Sequence, residues 1–157
     1  MALRIHNRQR LVGIRTALIR KCLLQIMAYL GCADKDVSVV FASDHLIQEL
    51  NRTYRQHDRP TNVLAFPQYP TYDGEPAHPT ILGDVVVSLP TAAREAHEQQ
   101  QSLEAYVVYL LAHGLLHLLG YDHEHSAAQR QRMEQRERDV LAHLRAQALL
   151  PRGNEPS

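Results

Sequence analysis

The sequence predicts one α+β (mixed α/β) domain: a small sheet of about four strands packed with about five helices. Three observations predict it. Residues 36–42 (Asp-Val-Ser-Val-Val-Phe-Ala) and 81–89 (Ile-Leu-Gly-Asp-Val-Val-Val-Ser-Leu) are β-branched runs of strand length. Segments with helical apolar periodicity lie before, between and after them, so helices and strands must share one core. The run 106–119 is apolar on almost every side, as a helix at the centre of a core is. A chain of 157 residues is long enough for such a core.

In order, residues 3–7 alternate apolar and polar and read as a first strand. Leu11, Ile14, Leu18, Cys22, Met27 and Leu30 then form a helical stripe over residues 10–30, which Gly31 closes. Residues 36–42 are the second strand. Ser43 is placed to cap a helix running to Arg55, with Leu46, Ile47 and Leu50 on one face. A short strand at 62–66 precedes a loop with four prolines, and 81–89 is the strongest strand. Asp84 stands inside it and needs a partner among buried valines, a structural role. Pro90 opens a polar helix to about residue 100. The apolar helix follows, then an amphipathic helix over 126–147. There Met133, Val140, Leu141 and Leu144 face inward and the alternating Arg and Glu face water. Residues 1–150 form the domain and 151–157 a frayed tail.

Composition excludes some classes. Seventeen basic and seventeen acidic residues cancel, so only local patches can argue for a polyanion. One such patch is N-terminal: Arg4, Arg8, Arg10, Arg15, Arg20 and Lys21 precede any acid. A solvated helix face is the simple reading and a polyanion surface the functional one. Cys22 and Cys32 form no Cys-x-x-Cys pair and suit a reducing cytoplasm. No apolar run reaches the length of a membrane span, and residues 23–32 make a poor lipoprotein signal, so a cytoplasmic protein without a membrane partner is expected.

The chemistry concentrates in His113-Gly-Leu-Leu-His117-Leu-Leu-Gly120-Tyr-Asp-His123. His113 and His117 are one helical turn apart on one face and can reach one ion. Gly120 turns the chain back, so that His123 can supply a third nitrogen, with His125 as its competitor. Three imidazoles and a water form the open coordination of a catalytic zinc, one Zn2+ per chain. The spacing is that of the metzincin peptidases, except that Gly114 stands where those enzymes carry the glutamate base. Hydrogen-bonded core histidines are the bland alternative, but unpartnered imidazoles in an apolar interior would cost a few kcal/mol. Asp122 is placed either to orient a ligand histidine or to form the turn.

A second cluster, Arg52, Arg55 and Arg59, lies at a helix end and the following loop. Guanidinium groups match phosphate oxygens with paired hydrogen bonds, although arginine at a helix end also serves the helix dipole.

Three blocks resemble the YbeY family of single-strand-specific endoribonucleases and rRNA maturation factors. They are Leu50-Asn-Arg-Thr-Tyr-Arg-Gln-His-Asp-Arg-Pro-Thr-Asn-Val-Leu-Ala-Phe-Pro, Leu82-Gly-Asp-Val-Val-Val-Ser and the histidine motif. The resemblance implies a zinc-dependent enzyme with His113, His117 and His123 as ligands and Arg55 as a catalytic arginine. Arg52 and Arg59 are candidate RNA contacts. It further implies single-stranded rRNA precursor as substrate, ribosome quality control, contact with the ribosome or small-subunit proteins, and no DNA substrate. Ala65 stands where the family pattern leads one to expect serine, and residues 68–80 match no family motif. No ladder of aromatics for base stacking is evident; Tyr54, Phe66, Tyr69, Tyr72 and Tyr121 are the candidates. Two other classes remain: a metalloprotease with an acid such as Glu124 as base, and a non-catalytic ribosome-binding factor with a structural metal.

Overall fold

The computed structural model describes residues 2–68, 80–122, 124 and 126–150. Among them the elements follow in the predicted order: β1 (Leu3–Asn7), α1 (Thr16–Tyr29), β2 (Asp36–Ala42), α2 (Asp44–Arg55), β3 (Val63–Pro67), β4 (Ile81–Ser88), α3 (Leu89–Glu98), α4 (Leu103–Leu118) and α5 (Ala127–Ala146). The frayed tail expected at 151–157, and all but the ends of the 68–80 loop, lie outside the described residues.

The strands form one mixed sheet in the order β1-β2-β4-β3. β1 pairs with β2 and β2 with β4 in parallel, while β3 pairs with β4 antiparallel. Parallel neighbours need crossover connections, which the helices between them provide. Strand alternation then decides what each face holds. Val37, Val39 and Phe41 of β2, with Val85 and Val87 of β4, join Leu23 and Ile26 of α1, Ala92 of α3, Leu111 and Leu115 of α4, and Val140 and Leu144 of α5 in the main core. Ala42, Leu64 and Val86 face the other way and meet Ile47 of α2. β4 is covered on both faces, which is why its valines run without interruption.

Serine starts four of the helices. The hydroxyls of Ser43, Ser88, Ser102 and Ser126 accept from the backbone N–H of Leu46, Thr91, Ala105 and Gln129. Each cap is worth about 1 kcal/mol.

Three expectations are corrected. The first helix begins at Thr16, not at residue 10. The Gln9 amide donates to Val12 O (2.8 Å) and accepts from Val12 N (2.9 Å), tying residues 9–12 into a loop. Leu11, expected on the inward stripe, is 81% exposed. Asp84 is exposed rather than sunk among valines. It shares its face with Val86, the face that α2 covers only in part, so it needs no buried partner. Glu137 is not on the solvent face of α5; it is buried between Met133 and Val140.

Candidate metal centre

α4 lies across β3 and β4 and packs also against α1, α3 and α5. Ten of its residues are buried, including Leu111, Ala112, Leu115 and Leu116, which flank the two histidines. His113 and His117 are only partly buried, on the strip of the helix that opens outward. Their Nε2 atoms face each other at 3.2 Å. Two nitrogens bound to one tetrahedral zinc at about 2.05 Å stand about 3.3 Å apart, close to the separation of this pair.

The helix ends as its glycine predicts. Gly120 has φ +98°, and the N–H groups of Gly120 and Tyr121 return to the carbonyls of His117 and Leu116 (3.0 Å each). This paired closure reverses the chain just beyond His117. His123, the third expected ligand, and its competitor His125 lie outside the described residues. Among the described residues no group of three His, Cys, Asp or Glu side chains is arranged to hold one metal ion. Asp122 Oδ1 accepts the Glu124 backbone N–H at 2.8 Å, the hydrogen bond of a turn-forming aspartate. A cleft of about 240 Å³ opens beside this turn, lined by Leu119, Gly120, Tyr121, Asp122, Gln129 and Arg132.

Gly114 shows why no peptidase base stands beside His113. A Cβ there would lie 2.7 Å from Val85 Cγ1 and 3.2 Å from Cγ2. The position faces the sheet so closely that any Cβ would force Val85 to shift, and a glutamate there would collide with the Val85 side chain of β4.

The carboxylate that reaches a histidine comes from elsewhere in the chain. Glu137 Oε1 is 2.5 Å from His113 Nδ1, with the two side chains 9% and 23% exposed. The sequence reading missed it, although a signal was present. Positions 133, 137, 140 and 144 form the buried stripe of α5, and one of the four is a charge. A buried carboxylate needs a partner.

Arg55 ends α2, and its Nη2 lies 3.8 Å from Glu124 Oε1, both half-exposed or more. The fold therefore brings the arginine to the loop that follows the histidine helix. Gln56 takes a left-handed conformation (φ 56°) and closes α2, and the Asn51 side chain donates to Arg59 O at 3.0 Å. Asn51 thus shapes the loop that carries Arg59. Arg52 and Arg59 are exposed, as are the six N-terminal cations. Tyr54 is 63% exposed with its ring edge-on to Phe66, 5.3 Å between centroids. Asn62, in the same block, is structural. It and the Tyr106 hydroxyl both donate to Glu95 Oε1 (3.0 and 2.9 Å) and join β3, α3 and α4. Burial, and then the Glu95 carboxylate, push the Tyr106 hydroxyl up to about 12.

Known proteins resemble this chain over most of its length. The family model described as endoribonuclease YbeY matches residues 4–145. A Geobacter metallireducens protein named endoribonuclease YbeY is 43% identical, over 96% of this chain and 100% of its own. A protein of the same name from Syntrophotalea carbinolica is 40% identical, over 92% and 97%. The solution structure of a Thermotoga maritima protein superposes with TM-score 0.58 at 26% identity, covering 98% of this chain and 100% of its own. With a helix-borne histidine pair, an arginine brought to its loop and a match from residue 4 to residue 145, the chain belongs to the endoribonuclease YbeY family.

Proposed function

We propose that the protein is a zinc-dependent, single-strand-specific endoribonuclease that processes ribosomal RNA precursors in the cytoplasm and serves ribosome maturation and quality control. The observation that carries the reading is the Nε2–Nε2 separation of 3.2 Å between His113 and His117, on a helix whose end is joined to Arg55 through Glu124. His113, His117 and His123 are the residues to hold the metal, one ion per chain. Bound there, zinc would supply a water of pKa about 7 and Lewis acidity toward a phosphoryl oxygen, so that no neighbouring carboxylate base would be needed.

The chain's own contribution is to place and balance charge. Arg55 holds the non-bridging phosphate oxygens and stabilises the charge that develops on them. Its exposed contact with Glu124 is worth less than about 1 kcal/mol, so a phosphate can displace the carboxylate at little cost. Arg52, one turn earlier on α2, and Arg59, on the loop shaped by Asn51, extend the cationic edge along which a single strand lies. Small-subunit proteins are the expected partners on the ribosome.

The test is cleavage of a labelled single-stranded RNA by wild type, His117→Ala and Arg55→Ala, prepared identically. Cleavage is expected in wild type and lost in His117→Ala. In Arg55→Ala it should fall about 10²- to 10³-fold, the cost of one charge-stabilising donor, with stability changed by less than about 1 kcal/mol. Equal cutting by all three proteins would place the activity elsewhere. Cleavage of peptides but not RNA would favour the metalloprotease, with Glu124 as base. Absence of turnover together with metal-dependent folding would favour the ribosome-binding factor.

A further inference from the structure

We infer that Glu137 is the positioning residue of the metal centre: its carboxylate accepts a hydrogen bond from the Nδ1–H of His113 and thereby turns the Nε2 lone pair of that ring toward His117 and the proposed metal position. The inference rests on the zinc reading above and adds a residue from a helix that carries none of the ligands.

The chemistry follows from the inventory of donors. In the proposed arrangement the Glu137 carboxylate accepts and His113 Nδ1 donates across the 2.5 Å contact. In a neutral imidazole the other nitrogen is then the acceptor. That nitrogen is Nε2, the atom 3.2 Å from His117 Nε2. The opposite tautomer would point an N–H at the ion and could not ligate it. A carboxylate on the far side of a ligand histidine also raises the basicity of the ligating nitrogen.

The setting of Glu137 argues against an incidental contact. Met133, Val140 and Leu144 on the same stripe are 0–1% exposed, and Glu137 is 7% exposed. A leucine would complete that stripe without the desolvation cost of a charge, so the carboxylate is retained for what it bonds. Tyr109 lies one turn before His113. Its hydroxyl is pushed up by burial first and then by the Glu137 and Glu134 carboxylates. Through Glu137, α5 is coupled to the histidine pair of α4.

The experiment uses metal-free wild type, Glu137→Gln and Glu137→Ala, with folding checked by circular dichroism. One reading is the His113 tautomer, from long-range 1H–15N NMR at about pH 8, above the ordinary imidazole range. The other is zinc affinity, by competition with a chromophoric chelator. Wild type should hold His113 protonated on Nδ1, and Glu137→Ala should release it to a mixture. Zinc affinity should fall about 10- to 100-fold in Glu137→Ala and less in Glu137→Gln, whose amide oxygen still accepts. Wild type protonated on Nε2, or a Glu137→Ala protein that binds zinc as tightly as wild type, would overturn the assignment alone. A wild type with the expected tautomer that takes up no zinc would overturn the zinc reading and this role with it.

Discussion

Gly114 illustrates how much one residue decides at this site. Its missing side chain lets α4 settle onto Val85, and the same contact removes any base from the position after His113. Gly114→Ala should therefore destabilise the protein by about 1–3 kcal/mol, the usual cost of overpacking a core. Urea unfolding measures it, and a stability equal to wild type would mean that Val85 can yield. His113 and Glu137 make the complementary point. Neither is unusual alone, and together they define which nitrogen of the ring faces outward.

At the scale of elements, α2 is positioned from both ends. At its start, Asp44 accepts from Ser88 Oγ (2.6 Å), Thr91 Oγ1 (2.5 Å) and Arg94 Nη2 (3.0 Å), which ties α2 to the beginning of α3. At its end stands Arg55. Burial pushes the Asp44 carboxyl up, but the hydrogen bonds from Ser88, Thr91 and Arg94 outweigh it and hold the group below its usual 3.8. A depressed carboxylate contributes stability that is fully present above its unfolded value and is lost as the pH falls through the native one. Wild type should thus exceed Asp44→Ala by a constant margin down to about pH 5, and the margin should shrink below pH 4. Chemical denaturation across that range checks it; a margin unchanged at pH 2–3 would mean that the carboxylate's charge contributes nothing.

Across the whole molecule, the sheet separates two tasks. Its main face, with α1, α3, α4 and α5, forms the core that carries the histidine helix. Its other face seats α2, whose last residue comes round to the histidine loop. No helix among the described residues is long and apolar enough to cross a membrane. If the proposed metal is held by α4 and coupled to α5, it stabilises the entire fold. Zinc at a hundred times its dissociation constant adds about 2.7 kcal/mol. For 157 residues that corresponds to a rise in Tm of roughly 5–10 °C. Calorimetry of the chelated and the zinc-loaded protein tests this, and equal melting temperatures would mean that the site does not bind zinc in the native state.

The order of elements, the α+β class, the histidine pair and the role of Gly120 were all legible in the sequence, because each rests on a local rule: strand and helix periodicity, residues one helical turn apart, or a left-handed glycine. Even the Ser43 cap and both ends of α2 followed from neighbours in the chain. What the sequence left undetermined depends on contacts between distant residues. Periodicity placed Leu11 on a helix, whereas side-chain bonds from Gln9 hold residues 9–12 in a loop and the helix starts only at Thr16. A charge inside a strand suggested a buried Asp84, but sheet parity and the partial reach of α2 left it in water. The charged pattern of α5 suggested a solvated Glu137, and only the packing of α5 against α4 turned it to His113, 24 residues away in the chain. Local periodicity names the face a residue is on; what that face meets is decided by the tertiary fold.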